Sequence, residues 1–268
     1  MVFPDSSVLA ALMAKFLIGT LLFIRVMALM YSGPVFSSMG IDGMVRVVLS
    51  AIVALSMTMV YSGNQPPLSI DAGVLAVTAL KEVMVGSLLG YTASLMMHAA
   101  RFAGGLVDTE VGFQTALMFD PNAGVPTLVG EIHSLVMTML LFAVNGHHFI
   151  LEAVFASARI VPIDGFVMEQ TVMEMLVKLV TSTLIIGLKI ASPVIVAIFL
   201  TNLSLALLAR VAPQMNIFSL SMHLKIIVGV LALFATMPLI AYFMKQTMGM
   251  FQSDLMKILM AMAPPPAP

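Results

Sequence analysis

Six stretches of this chain are apolar for about the distance needed to cross a lipid bilayer: residues 8–31, 44–61, 74–97, 132–155, 175–211 and 224–243. A hydrocarbon core of about 30 Å takes roughly 20 helical residues at 1.5 Å each, so only the second stretch is marginal. Backbone amides in lipid must be satisfied within their own segment, which leaves helices as the element for runs of this length. Charged residues make up 9% of the chain, against roughly a quarter in a soluble domain, and the mean hydropathy is +1.08. The fold class that follows is an all-α integral membrane protein of about six long apolar helices embedded in the lipid bilayer.

Punctuation between the stretches is conventional. Ser32-Gly33-Pro34 ends the first, Asp42 is placed to cap the second, and Asn64-Gln65-Pro66-Pro67 reads as a turn. No basic segment precedes the first apolar run, which is therefore expected to be retained. A net charge of -1 gives no electrostatic case for nucleic acid, and the absence of cysteine removes disulfides, thiolate metal sites and cysteine nucleophiles.

Two features do not suit a simple bundle of upright helices. The fifth stretch would be on the order of 55 Å long as one helix, so it must tilt, kink at Pro193, or leave lipid and pack on protein. Charges also enter the apolar runs: Lys15, Arg25, Arg46, Lys81, Glu82, Arg101, Glu131, Lys178, Lys189 and Arg210. Residues at the shoulders, such as Arg46, Lys178 and Arg210, have the option of snorkelling to the surface, whereas Lys15, Arg25, Lys81 and Lys189 lie deeper and point to protein neighbours. Gly86, Gly90 and Ser94, four residues apart, offer one small-residue face for close helix packing. The 26 methionines suit surfaces that adapt to varied neighbours.

Catalytic motifs are absent. No Walker lysine loop, dinucleotide fingerprint or G-x-S-x-G serine turn occurs, and Asp108 and Glu110 are spaced so that their carboxylates diverge on a helix. His148 and Glu152 share a helical face and, with His147 and a distant His133 or His98, form the best metal candidate, but a rigid third ligand is lacking. Gly146 before the pair reads instead as a turn or helix start. No cofactor is expected.

The polar residues the chain does possess concentrate in "GGLVDTEVGFQTALMFDPNAG", residues 104–124. Irregular backbone at membrane depth is tolerated only when buried in protein or lining a wet cavity. Glycines here permit left-handed turns, Phe113, Met118 and Phe119 supply bulk, and Asp120-Pro121-Asn122 turns the chain. Residues 101–130 are thus expected to form a re-entrant central loop, acting as a plug or lying as an interfacial hairpin.

Four motifs in order, "FIRVMALMYSGPVFSS" (23–38), "AGGLVDTEVGFQTALMFDPNAG" (103–124), "LLFAVNGHHFILEAVFAS" (140–157) and "LLARVAPQMNIFSLSMHLKI" (207–226), resemble the FliR family of flagellar type III secretion export-gate proteins. Ser221 and His223 stand where the family pattern has glycine and proline. The resemblance implies a non-enzymatic gate subunit in the bacterial inner membrane at the flagellar basal body. It also implies FliP-like and FliQ-like membrane partners, an FlhB-like membrane protein in contact, and unfolded exported proteins as cargo. By the same resemblance residues 1–165 form a FliP-like half with a plug loop at about 106–123, residues 166–257 a FliQ-like hairpin, and residues 258–268 a disordered Pro-rich tail. The expected plug residues are Leu106, Val107, Gly112, Phe113, Met118, Phe119, Asp120 and Pro121. Gly86, Gly90, Ser94, Lys189 and Arg210 are expected to pack against other subunits. A different class, a small-solute secondary transporter with charges around a midplane site, would use the same intramembrane residues.

Overall fold

The computed structural model of the chain describes residues 6–34, 41–65, 71–113 and 127–264. Among these residues the elements are helical: α1 (Ser6–Ser32), α2 (Gly43–Tyr61) with a 3-10 turn (Ser62–Asn64), α3 (Ala72–Val111), α4 (Leu128–Ala143), α5 (Gly146–Ile160), α6 (Gln170–Val211) and α7 (Ile217–Ala261). Five of them, α1, α2, α3, α6 and α7, are long and apolar enough to cross a membrane, and α4 with α5 makes a sixth span if counted as one broken helix. The all-α membrane class holds.

The fourth apolar stretch is where a continuous span fails. Val144 closes α4 onto the Leu140 carbonyl, Asn145 takes a left-handed φ of 57°, and the chain bends by 71° before α5 starts at Gly146. Asparagine is among the non-glycine residues that enter this region most readily, here without a side-chain cap. The glycine after it was the sequence signal for a helix start. The fifth stretch behaves oppositely, running through Pro193 as one 42-residue helix. Proline cannot donate to the carbonyl four residues back, that of Lys189, and the Ser192 hydroxyl donates to it instead at 2.8 Å. The freed acceptor is satisfied, so the helix does not split.

Two helices exceed their apolar runs. α3 continues well past Met97 to Val111, and α7 continues past Phe243 to Ala261. In α7 the added turns bury Phe251, Leu255, Ile258 and Leu259, a helical stripe that Gln252 and Asp254 interrupt in sequence but not on the face. Helix persists to Ala261, within the segment 258–268 expected as a tail, and residues 265–268 lie outside the described residues. α7 also runs unbroken over Ser221 and His223, where the Nδ1 of His223 lies 2.7 Å from the Ser219 carbonyl oxygen. Asp42 stands at the start of α2 without a side-chain cap, whereas Asp71 accepts the Gly73 N–H at 2.7 Å before α3.

The chain packs as two compact units. One comprises Met1–Leu95, Asn145–Leu179 and Phe251–Pro268; the other comprises Met96–Val144 and Val180–Met250. Neither unit follows the division at residue 165, since the last turns of α7 belong with α5, and Phe149 meets Phe251 edge-on at 6.3 Å.

The first unit is organised around Arg25. Its guanidinium, 1% exposed, binds Glu82 of α3 through two nitrogens at 2.5 and 3.0 Å, the Ser157 hydroxyl at 3.2 Å and the Val161 carbonyl at 2.9 Å. One side chain thus ties α1, α3 and the end of α5 together. Nearby, the Gln65 amide donates to the Ala158 carbonyl and accepts the Ile163 N–H. Lys81 reaches both the side chain and the carbonyl of Asp164, which holds a positive φ of 65°. Arg25, an interior charge expected to meet protein rather than lipid, finds its partners in its own chain. Close packing at Gly86 and Gly90 likewise occurs within the chain. A Cβ on Gly86 would overlap the Arg25 carbonyl, and one on Gly90 would overlap the Ser32 hydroxyl, so this face of α3 is closed by α1. Ser94, one turn on, is buried and bonds back to the Tyr91 carbonyl.

Two substitution sets test this unit, both read as unfolding free energy in detergent. Arg25→Met or Glu82→Leu alone strands a buried charge and is expected to cost about 3–5 kcal/mol, whereas the R25M/E82L double variant costs far less than the sum. Additive losses would contradict a mutually compensating pair. Gly86→Ala is expected to cost about 1–3 kcal/mol through overlap with α1, whereas Gly249→Ala, with open space around it, gains up to about 1 kcal/mol. Equal effects would show that α1 does not close that face.

Candidate functional site

The polar segment singled out in the sequence is rooted in the second unit, between the end of α3 and the start of α4. Three glycines bring helices into backbone contact there. Gly104 of α3 faces Gly130 of α4 with no room for a Cβ, Gly187 of α6 admits the Phe102 ring and the Ala99 carbonyl, and Gly229 of α7 admits Val111. The last three turns of α3 are therefore wedged on three sides.

Asp108 completes the root. Its side chain is fully buried, and its carboxylate accepts the Val129 N–H at 3.1 and 3.2 Å and the Gly130 N–H at 3.5 Å. The first N–H groups of a helix have no partner inside it and carry the positive end of the helix dipole, so an acidic acceptor is the natural complement. The residue in the usual capping position, Thr127, makes no side-chain cap. The work falls to an acid 21 residues away in sequence, on another helix. A weaker surface pair, Arg101 with Glu131 at 3.7 Å, spans the same two helices.

α3 ends in a glycine stop, later in the chain than its apolar run suggested. Gly112 has a φ of +93°, and its N–H returns to the Asp108 carbonyl at 3.1 Å, the glycine stop that a side chain with a Cβ would strain. Phe113 follows and lines an apolar hollow of about 300 Å³ with Leu128 and Ile132 of α4 and Val230, Phe234 and Met237 of α7. His133 also reaches this wall; its ring is 1% exposed and makes no hydrogen bond in good geometry.

The expected loop is narrower than residues 101–130. Leu106 and Val107 belong to α3, and Val107 is wholly buried in the second unit, so neither is a loop residue. Glycines at 104 and 105 suggested irregular backbone because their role as contact points for other helices is invisible in one sequence. Gly112 and Phe113 stand at the loop's root. Met118, Phe119, Asp120 and Pro121 lie outside the described residues. Of the expected packing residues, Lys189 and Arg210 are exposed; Lys189 adjoins a small cleft with Gln246 and Thr247 of α7. Asp108 was considered only as half of a catalytic pair. Its capping role has one faint signal, an acid late in a helix that precedes a Pro-Thr start of the next.

His147 and His148 sit in the first turn of α5 with ring centroids 4.2 Å apart. Among the described residues no group of three or more His, Asp or Glu side chains is arranged to hold a metal ion.

Residues 16–251 match the family described as Bacterial export proteins, family 1. Similar proteins include the Flagellar biosynthetic protein FliR of Bacillus subtilis, 28% identical over 82% of this chain and 86% of its own length. That of Escherichia coli is 29% identical over 82% and 84%. The Yop proteins translocation protein T of Yersinia pestis is 31% identical over 77% and 80%. With a match across nearly all of its helical length, the chain belongs to the bacterial export proteins, family 1.

Proposed function

We propose that this chain is a non-enzymatic subunit of the flagellar type III export gate, helping to form and to close the conduit for unfolded flagellar substrates. In this reading it resides in the bacterial inner membrane at the basal body, assembled with FliP-like and FliQ-like subunits and in contact with an FlhB-like protein. Flagellar relatives that align over 82% of the chain support the system and the membrane. Exposed apolar side chains along α6 and α7, such as Leu188, Phe199, Leu203 and Phe234, suit lipid or neighbouring subunits.

The observation that carries the gating role is the rigid root. Asp108, the Gly104–Gly130 crossing and the left-handed Gly112 fix where the chain leaves α3 and where it enters α4. A segment held at both ends at one place can be displaced by cargo and return without unfolding the helices around it. Phe113 at the root, with Met118 and Phe119 beyond it, supplies the bulk that closes an apolar constriction to ions and water. No nucleotide motif is present in the sequence, so the closure is passive, and energy for transport enters through other components.

Removing residues 114–122 tests the reading. Ion leak through the assembled gate is expected to rise above that of the parent while co-purification with the other membrane subunits is retained. A small-solute transporter would lose uptake without leaking, and an unchanged leak in an intact assembly would refute the closure. Asp108→Ala is expected to lose about 1–3 kcal/mol of unfolding free energy by stranding two buried N–H groups, with Asp108→Asn, which keeps an acceptor, losing less. If the alanine variant is as stable as the parent, the carboxylate does not hold the root.

A further inference from the structure

Lys15 is a cation inside the first apolar stretch that the described part of the first unit leaves uncompensated. It makes no hydrogen bond or ion pair among the described residues, unlike Arg25 and Lys81 in the same unit. It lies seven residues inside the apolar stretch 8–31, level with the end of α2 and on the side of α1 that faces α2. Between these two helices run adjoining hollows of about 300 and 400 Å³, both lined by Lys15, Phe16, Leu55 and Thr58.

The order of groups along this trough is informative. Lys15 and Ser62 stand together at one end, where α1 begins its span and α2 finishes, and Phe23 and Ala51 stand at the other. From Lys15 to Phe23 the helix rises about 12 Å. The hydroxyls within the trough are already spent: Thr58 donates to the Ala54 carbonyl and Thr20 to the Phe16 carbonyl. The floor is narrow because Gly19 sits against Thr58, where a Cβ would approach its hydroxyl to 3.3 Å. Phe16, 75% exposed, and Leu55, 58% exposed, form its flanks. A cation at the membrane surface end, followed inward only by hydrocarbon, has the polarity sequence of an anionic amphiphile.

We propose that the α1/α2 trough is a binding site for an anionic phospholipid, its phosphate on the Lys15 ammonium and one acyl chain laid along Phe16, Gly19 and Leu55. A lysine near the end of a span reaches headgroup depth by extending its stem, and there a phosphate neutralises it without dragging an acid into hydrocarbon. An acidic helix of a partner subunit would have to bring its carboxylate to the same level, and nothing in the trough's interior offers it a second polar contact. The inference is independent of the gate reading.

The chain contains no tryptophan, so subtracting the signal of the same preparation with the unsubstituted chain leaves one indole that reports on the trough. The full chain carrying Phe16→Trp, with whatever membrane subunits it retains in mild detergent, is reconstituted into phosphatidylcholine vesicles. These contain, at equal mole fraction, either acyl-brominated phosphatidylglycerol or acyl-brominated phosphatidylcholine. One lysine–phosphate contact corresponds to about fivefold enrichment of the anionic lipid. Quenching is expected to favour the brominated phosphatidylglycerol by about that factor, to lose the preference in F16W/K15Q, and to keep it in F16W/K15R. Leu55→Trp reads the same trough from α2 should F16W fold poorly, and Phe199→Trp on α6, exposed and with no basic residue within a helical turn of it, is expected to show no preference. Equal quenching by the two lipids at position 16, or a preference that survives K15Q, would overturn the site. An indole shielded from both lipids would show that a protein neighbour covers the trough, and would overturn it too.

Discussion

A guanidinium surrounded by apolar helices has no water to turn to, and the fold of the first unit depends on how Arg25 resolves this. Its two hydrogen bonds to Glu82, one to Ser157 and one to the Val161 carbonyl leave both charges compensated at 1% exposure. A buried pair of this kind contributes less to net stability than to uniqueness: losing one partner is severe, so α1, α3 and the end of α5 accept one relative arrangement. A partner found within the chain settles a smaller conflict as well. Ser192 covers the carbonyl that Pro193 cannot bond, which keeps α6 whole.

In the second unit a partner within the chain bears on the proposed function. Asp108 has no cation opposite it; its complement is the N-terminus of α4, whose exposed N–H groups bear partial positive charge. Close contacts at Gly104, Gly187 and Gly229 hold α3 near enough for that short side chain to reach. Rigid helices therefore meet at the root of the one polar segment in an otherwise apolar chain. The proposed gating role draws on this fixed frame.

Much of this was legible in the sequence because membrane folds are read from length and hydropathy. The spans, the break before Gly146 and the left-handed Gly112 follow from composition and from single residues with strong local preferences. The extra turns of α3 and α7 were not legible, because their buried stripes are interleaved with acids, amides and glycines that end an apolar run without ending a helix. Pairing was the other blind spot. Arg25 and Glu82 are 57 residues apart, and one sequence shows each only as an interior charge, indistinguishable from one that meets another subunit. Gly86 and Gly90 pose the same problem: small residues announce a close neighbour without saying whose. At the site, Asp108 was legible as an acid out of place, but its target is a set of backbone amides, which carry no sequence signature.

The central claim is that this chain functions as one member of a joint membrane assembly, with its unpaired exposed apolar faces and its rooted loop completed by other subunits. Native mass measurement after mild-detergent purification from the producing bacterium tests it most directly. The account predicts a hetero-oligomer in which this chain is bound to other export-family membrane subunits. A lone monomer, stable and accompanied by no other membrane protein, would contradict it.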